Sequence, residues 1–311
     1  MPQDKYLPEG RLIMSEENRA ATESLAALER TRREGRIAEG RAVMCTETHD
    51  LIVDIGGIRG VVPRAESAIG IDDGSTREIA VISRVGKPIC FKVTDIIDGV
   101  PFLSRKEAQA EALAHLLRHA QPGDVLDCRV THIESFGAFV DIGCGNISLI
   151  GIENISVSRI ANPRERFTLR QDIHAVVKGI DRVRQRVLLS HRELLGTWKE
   201  NAACIRAGTT LRGVVRGVED YGIFVELAPN LSGLAERIEG VCPGMPVSVY
   251  VKAVIPEKMK IKLMIIDALE GTGARHITEE DYFIRSGRIA EWLYSPEECK
   301  TKSIKTDFTE P

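Results

Sequence analysis

Two short stretches carry residues that could hold a flat, charged ligand. Phe136 and Phe139 stand in SFGAFVDIG, and Tyr221 and Phe224 stand in DYGIFVELA. Around the first, Leu126, Cys128 and Val130 alternate with more polar neighbours, and after a turn Ala138, Val140 and Ile142 do the same. That is the pattern of two strands with one face in a core. Phe139 then falls on the opposite face, the one that carries Asp141, and Phe136 lies beside it in the turn. Rings on the wet face of a small sheet suit the stacking of bases. Downstream, in DIHAVVKGIDRVRQRVLLSHRE, Ile173, Ala175, Val177, Val187 and Leu189 point inward, while His174, Lys178 and Arg186 point outward. Rings and cations on one face would stack bases and meet phosphates, which is what single-strand binding needs. An ordinary barrel with two surface phenylalanines fits the same pattern equally well.

FGAFVDIG, followed by VKGID and RVLLSHRE, resembles the RNA-binding domain of the ribosomal protein S1 family. The resemblance implies an oligonucleotide-binding (OB-fold) barrel of five strands that is repeated along the chain. It also implies nucleic-acid contacts at Phe136, Phe139, Asp181 and Arg186. The family's histidine after the third strand has no clean counterpart in NISLIGIENIS, where Glu153 and Asn154 stand nearby.

The elements that must position these residues recur. Residues 39–105 repeat the central pattern, DIGGIRG matching DIGCGNI, but Thr48, His49, Asp50 and Leu51 stand where SFGAF stands later. Without rings, and with acids exceeding bases, this first barrel is expected to dock on protein or to support its neighbour. Residues 208–267 repeat the pattern with its aromatic pair, Tyr221 and Phe224, and with Lys252 and Lys260 as cations. Lys260 falls at the Arg186 position, Pro256 replaces the hairpin aspartate, and Glu236 takes the place of the family histidine. The expected fold is mainly β: three tandem five-stranded OB-fold barrels (39–105, 123–195 and 208–267) joined by linker helices at 106–122 and 196–207. Residues 1–38 form a lead-in, loose to residue 14 and helical from Ser15, with Ser15 as cap. Residues 268–311 form a tail with a short helix around Ile289, Trp292 and Leu293 and a disordered last dozen residues. Trp198 is expected to pack between barrels. Within the central repeat, SVSRIANPRERFTLR sets Arg159, Arg164, Arg166 and Arg170 against one acid, Glu165, and reads as a phosphate-tracking loop.

Several functional classes lose support from the sequence. No GxxxxGK[ST], strand-linked GxGxxG, GxSxG or paired Cys–His set occurs, so no enzyme is expected and no cofactor. The seven cysteines show no CxxC spacing, and His115 and His119, four apart on one helix face, lack further ligands, so no metal is expected. No apolar run would span a membrane and MPQDKYLPEG is no signal peptide, which fits a cytoplasmic protein. The net charge of −3 argues against broad duplex binding while leaving room for local single-strand contacts. The expected partner is single-stranded RNA, mRNA in the family's case. Phe136, Phe139, His174, Lys178, Asp181, Arg186, Tyr221, Phe224, Lys252 and Lys260 form the candidate site. The resemblance adds translation and the small ribosomal subunit as context. The alternative is an adaptor whose barrels dock on RNA polymerase, a ribonuclease or the ribosome.

Overall fold

Alternating apolar residues, punctuated by glycine turns, make every expected barrel. The computed structural model describes residues 6–309. Two compact units result: one runs to Ala120 and takes in 127–129 and 141–147, and the other comprises 121–126, 130–140 and 148–309.

In the first unit, β1 (Ala38–Cys45), β2 (Leu51–Ile55), β3 (Ile58–Val62), β4 (Pro88–Ile97) and β5 (Val100–Ser104) close a barrel in the order β1-β2-β3-β5-β4. Leu51, Val53, Ile55, Ile89, Phe91 and Leu103 fill it. Ahead of it come two short helices, α1 (Glu16–Thr22) and α2 (Leu25–Glu34), rather than the one expected. The break has a local cause. Ser24 is extended, and its hydroxyl accepts from Ala27 N–H to cap α2 afresh. Ser15 caps α1 as the sequence suggests, accepting from Asn18 N–H. Asn18 completes no capping box; its amide exchanges two hydrogen bonds with the Glu39 backbone, at 2.7 and 3.0 Å, and ties α1 to β1. A short α3 (Glu78–Ile82) lies between β3 and β4, and α4 (Arg105–His119) follows β5 where a linker helix was expected.

Residues 6–14, expected to be loose, are fastened by buried acids. The Glu9 carboxylate accepts from Arg105 at 2.6 and 3.0 Å and from Arg84 at 3.2 Å. Glu39 accepts from the N–H groups of Gly10, Leu12 and Ile13. A carboxylate out of water needs such a full set of donors. Asp141, expected on the wet face, is also buried: it accepts from the amides of Glu9, Gly143 and Gly145 and so shapes the turn after its strand. His115 and His119 stack on each other at 4.5 Å, with Tyr6 against His115 at 4.8 Å.

The central barrel's strands are β6 (Val125–Glu134), β7 (Gly137–Asp141), β8 (Ile147–Gly151), β9 (Asp172–Asp181) and β10 (Arg186–Ser190), in the order β10-β9-β6-β7-β8. In the second unit, β11 (Thr210–Glu219), β12 (Gly222–Ala228), β13 (Leu231–Ala235), β14 (Pro246–Ile255) and β15 (Lys260–Ala268) close the third barrel. The link at 196–207 holds only α5 (Trp198–Ala202), with Trp198 buried. The tail differs from its expected helix. β16 (Glu291–Leu293) pairs with β17 (Lys305–Asp307), and the pair buries Trp292, Tyr294 and Phe308 while Leu293 stays exposed. Most of the tail's anchors lie on central-barrel residues: Val125 N–H donates to Gly287 O at 2.9 Å, and Arg288 pairs with Asp124 at 2.6 Å. Tyr294 Oη donates to Asn230 O in the third barrel at 2.5 Å. The step of three from Ile289 to Trp292 suits a helix face and the step of two from Trp292 to Tyr294 suits a strand, and tertiary burial decides.

Candidate nucleic-acid interface

The two aromatic pairs are built alike. Phe136 sits in the β6–β7 turn, 54% exposed, and Phe139 follows on β7, half-buried. Their centroids lie 6.0 Å apart with ring planes at 86°. Tyr221, 71% exposed, and Phe224 repeat that geometry at 6.0 Å and 86°. The glycine between the rings is required by space. A Cβ on Gly137 would stand 2.5 Å from Ile150 O, and one on Gly222, whose φ is +149°, would stand 2.6 Å from Ala235 O. Ile152 N–H donates to Phe136 O at 2.9 Å and fixes the turn under the exposed ring. An exposed edge-to-face pair leaves a ring face open to a third flat group.

The cations around the pairs differ. Lys178 Nζ lies 3.3 Å from Asn154 Oδ1, a neutral partner, so its charge is not cancelled. Its third-barrel counterpart Lys252 pairs with Glu236 at 2.7 Å. Arg186 and Lys260 are both exposed and hold the same register: Arg186 faces Asp181 and Lys260 faces Ile255 across their hairpins. Ile255, not Pro256, therefore takes the hairpin aspartate's position. Asp181 is occupied locally, its Oδ1 accepting from the N–H groups of Val183 and Arg184 to form the turn.

Two expected contacts are placed elsewhere. His174 lies about 13 Å along β9 from Lys178. The tail covers it: its ring packs edge-on against Tyr282 at 4.9 Å, its backbone N–H donates to Tyr282 Oη, and Nε2 lies 3.3 Å from Glu279. Strand parity puts His174 and Lys178 on one face, but it cannot reveal that a distant segment covers half of that face. Arg166 is fully buried instead of tracking phosphates. Its Nη2 lies 2.5 Å from Glu226 Oε2, which also accepts from Arg216 Nε at 2.6 Å, and Arg216 pairs with Glu165. These four side chains bind the 163–170 loop to β11 and β12. Arg164 and Arg170 remain exposed.

One exposed ring escaped the sequence reading. His132 on β6 lies 6.0 Å from Phe139, its plane tilted by 36°. Strict alternation from Cys128 and Val130 puts position 132 in the core. The burial instead runs Val130 buried, His132 exposed, Ile133 buried, so the parity flips there. A β-bulge at the matching place in β11, between Val215 and Gly217, is the same device.

In the first barrel the ring positions carry other chemistry. His49 lies 3.1 Å from Glu78, which also takes Arg64. Thr94 stands at the Lys178 position, its hydroxyl donating to Phe102 O.

The model of the S1 RNA binding domain matches residues 119–192, the central barrel. Small ribosomal subunit protein bS1 of Leuconostoc lactis is 33% identical over 192 residues, 59% of this chain and 43% of its own length. The bS1 of Staphylococcus aureus (strain COL) is 31% identical over 234 residues, 69% of this chain and 58% of its own. The bS1 homolog of Bacillus subtilis is 29% identical over 231 residues, 71% of this chain and 56% of its own. The chain thus spans about half the length of the curated relatives it matches. The central barrel is an S1 RNA binding domain, and the chain belongs to the S1 family.

Proposed function

We propose that this protein binds single-stranded or weakly structured RNA in translation, mRNA being the substrate, and acts in the cytoplasm in association with the small ribosomal subunit. The observation that carries the reading is the pair of matching ring platforms on the central and third barrels, each barrel also carrying an exposed cation at the same register of its last hairpin. Bases stack on Phe136, Phe139, Tyr221 and Phe224, and Lys178, Arg186 and Lys260 meet phosphates. Stacking accepts any base, so sequence preference is mild. The bS1 proteins named above supply the ribosomal context. Among the described residues no helix is long and apolar enough to cross a membrane.

Stacking and charge neutralisation by exposed groups is a binder's chemistry. The first barrel favours a second role. It lacks a ring pair, and Ile79, Ile82 and Val85 are exposed on and after α3, which suits docking on a protein. The test is fluorescence-anisotropy titration of a short unstructured RNA over a salt series, with wild type and the Phe136→Ala/Phe139→Ala variant. Clear loss in the variant, with a moderate negative salt slope in wild type, supports the reading. Equal weak binding by both refutes it and moves protein docking to the front.

A further inference from the structure

We propose that His132 is a third base-stacking residue of the central barrel, so that the RNA track continues past the phenylalanines across β6 towards the 163–170 loop. The inference rests on the RNA-binding reading above and extends its site. Three observations converge on it. His132 is exposed on the same face as the ring pair, its centroid 6.0 Å from Phe139 and its plane inclined by only 36°. Phe136, Phe139 and His132 thus form a row in which each ring is 6.0 Å from the next.

The backbone flip that brings the imidazole out of the core is fixed by neighbours rather than loose: Thr131 Oγ1 donates to Phe139 O at 3.1 Å, and Ile133 is buried. Two exposed arginines attach to β6 on either side of His132: Arg164 Nη2 donates to Ile133 O at 3.3 Å, and the backbone N–H of Arg170 donates to Val130 O at 2.8 Å. A base on His132 would have its phosphate within their reach, which gives the two arginines left exposed in this loop a role that buried Arg166 cannot take.

The alternative use of His132 is an ordinary surface pair, since its Nε2 lies 2.6 Å from Glu134 Oε1. The third barrel separates the two. At the matching position, four residues before its exposed ring, it has Gly217, opposite Phe224 in the ladder. A Cβ there would meet only Phe224 Cδ2 at 3.9 Å, an ordinary contact, so a side chain fits. The third barrel therefore has two rings and room for the third.

The experiment is anisotropy titration of unstructured oligouridylates of increasing length with the full chain. His132→Gln keeps a hydrogen-bonding partner for Glu134 and removes the ring; His132→Tyr keeps a ring. Stacking predicts that His132→Gln weakens binding about tenfold and saturates at an oligomer roughly one nucleotide shorter than wild type, and that His132→Tyr restores both. Gly217→His, placed in the Phe136→Ala/Phe139→Ala background, is expected to tighten the residual binding by the third barrel severalfold. If His132→Gln binds like wild type while the phenylalanine variant has lost binding, the platform stands and the third ring is overturned. If His132→Tyr is as weak as His132→Gln, a ring at this position is not what binding requires and the proposal also falls. If the phenylalanine variant binds normally, the platform reading fails first, and the third ring with it.

Discussion

The central and third barrels carry one ring pair in one geometry and differ in the charge set around it. In the central barrel Lys178 leans on neutral Asn154, an imidazole extends the ring row, and Arg164, Arg170 and Arg186 are exposed nearby. In the third, Lys252 is paired with Glu236, a glycine ends the row, and Lys260 is the exposed hairpin cation. Stacking surface alone would make the two equal. The difference indicates that the fold supplies the rings wherever the Phe-Gly or Tyr-Gly turn is kept, while affinity is set by side chains that the fold leaves free to vary.

The largest expected effect acts on the scaffold that both platforms share. Glu226→Gln leaves Arg166 buried without its carboxylate and Arg216 with Glu165 alone, and loss of one partner from such a cluster costs about 3–5 kcal/mol. Urea unfolding should show the lowered midpoint, and an unchanged midpoint would mean that the cluster is not a tie.

Next comes the contrast itself. Phe136→Ala/Phe139→Ala should lower affinity for a short RNA on the order of a hundredfold, at about 1–3 kcal/mol per base lost. Tyr221→Ala/Phe224→Ala should cost clearly less. Equal losses would erase the ranking.

Acid distinguishes the barrels through stability. Burial pulls the His191 imidazole down to about 4, and Ile155 O and Tyr282 Oη, at 2.8 and 3.0 Å, suit its neutral form. Between the ordinary value of 6.5 and about 4 the unfolded chain binds a proton that the folded chain refuses, so stability falls as pH drops through that window. The loss is about 2 kcal/mol at pH 5. The third barrel contains no histidine, and a His191→Gln variant should lose less melting temperature than wild type between pH 7 and pH 5. A slope that persists in the variant would assign it elsewhere.

The smallest effect would sharpen the comparison from the other side. Glu236→Gln releases Lys252, and binding by the third barrel should strengthen by roughly twofold to threefold and become more salt-sensitive. An unaltered salt slope would show that Lys252 does not face RNA.

The sequence made the barrels and the ring pairs legible because both rest on local pattern: period-two burial and a glycine that only close strands require. It was less informative wherever distant segments meet. His174 looked open because nothing in β9 announces that Tyr282 will cover it, and Arg166 looked like a phosphate ligand because Glu226, its partner, lies 60 residues away in the chain. Asp141 kept the right parity for the wet face and still ended on backbone amides in a turn. His132 was hidden by the reverse error, since the burial period shifts by one residue after Val130 and nothing in VTHIE marks it. The tail's hairpin escaped for the same reason as the covered histidine, its apolar residues finding partners far upstream.

The most direct measurement is photo-crosslinking of a thiouridine-containing single-stranded RNA to the intact protein, followed by mapping of the attached peptides. The account predicts the heaviest crosslinks on the peptide holding His132, Phe136 and Phe139, weaker ones around Tyr221 and Phe224, and few on the first barrel. Crosslinks concentrated on the first barrel, or spread evenly over all three, would contradict it.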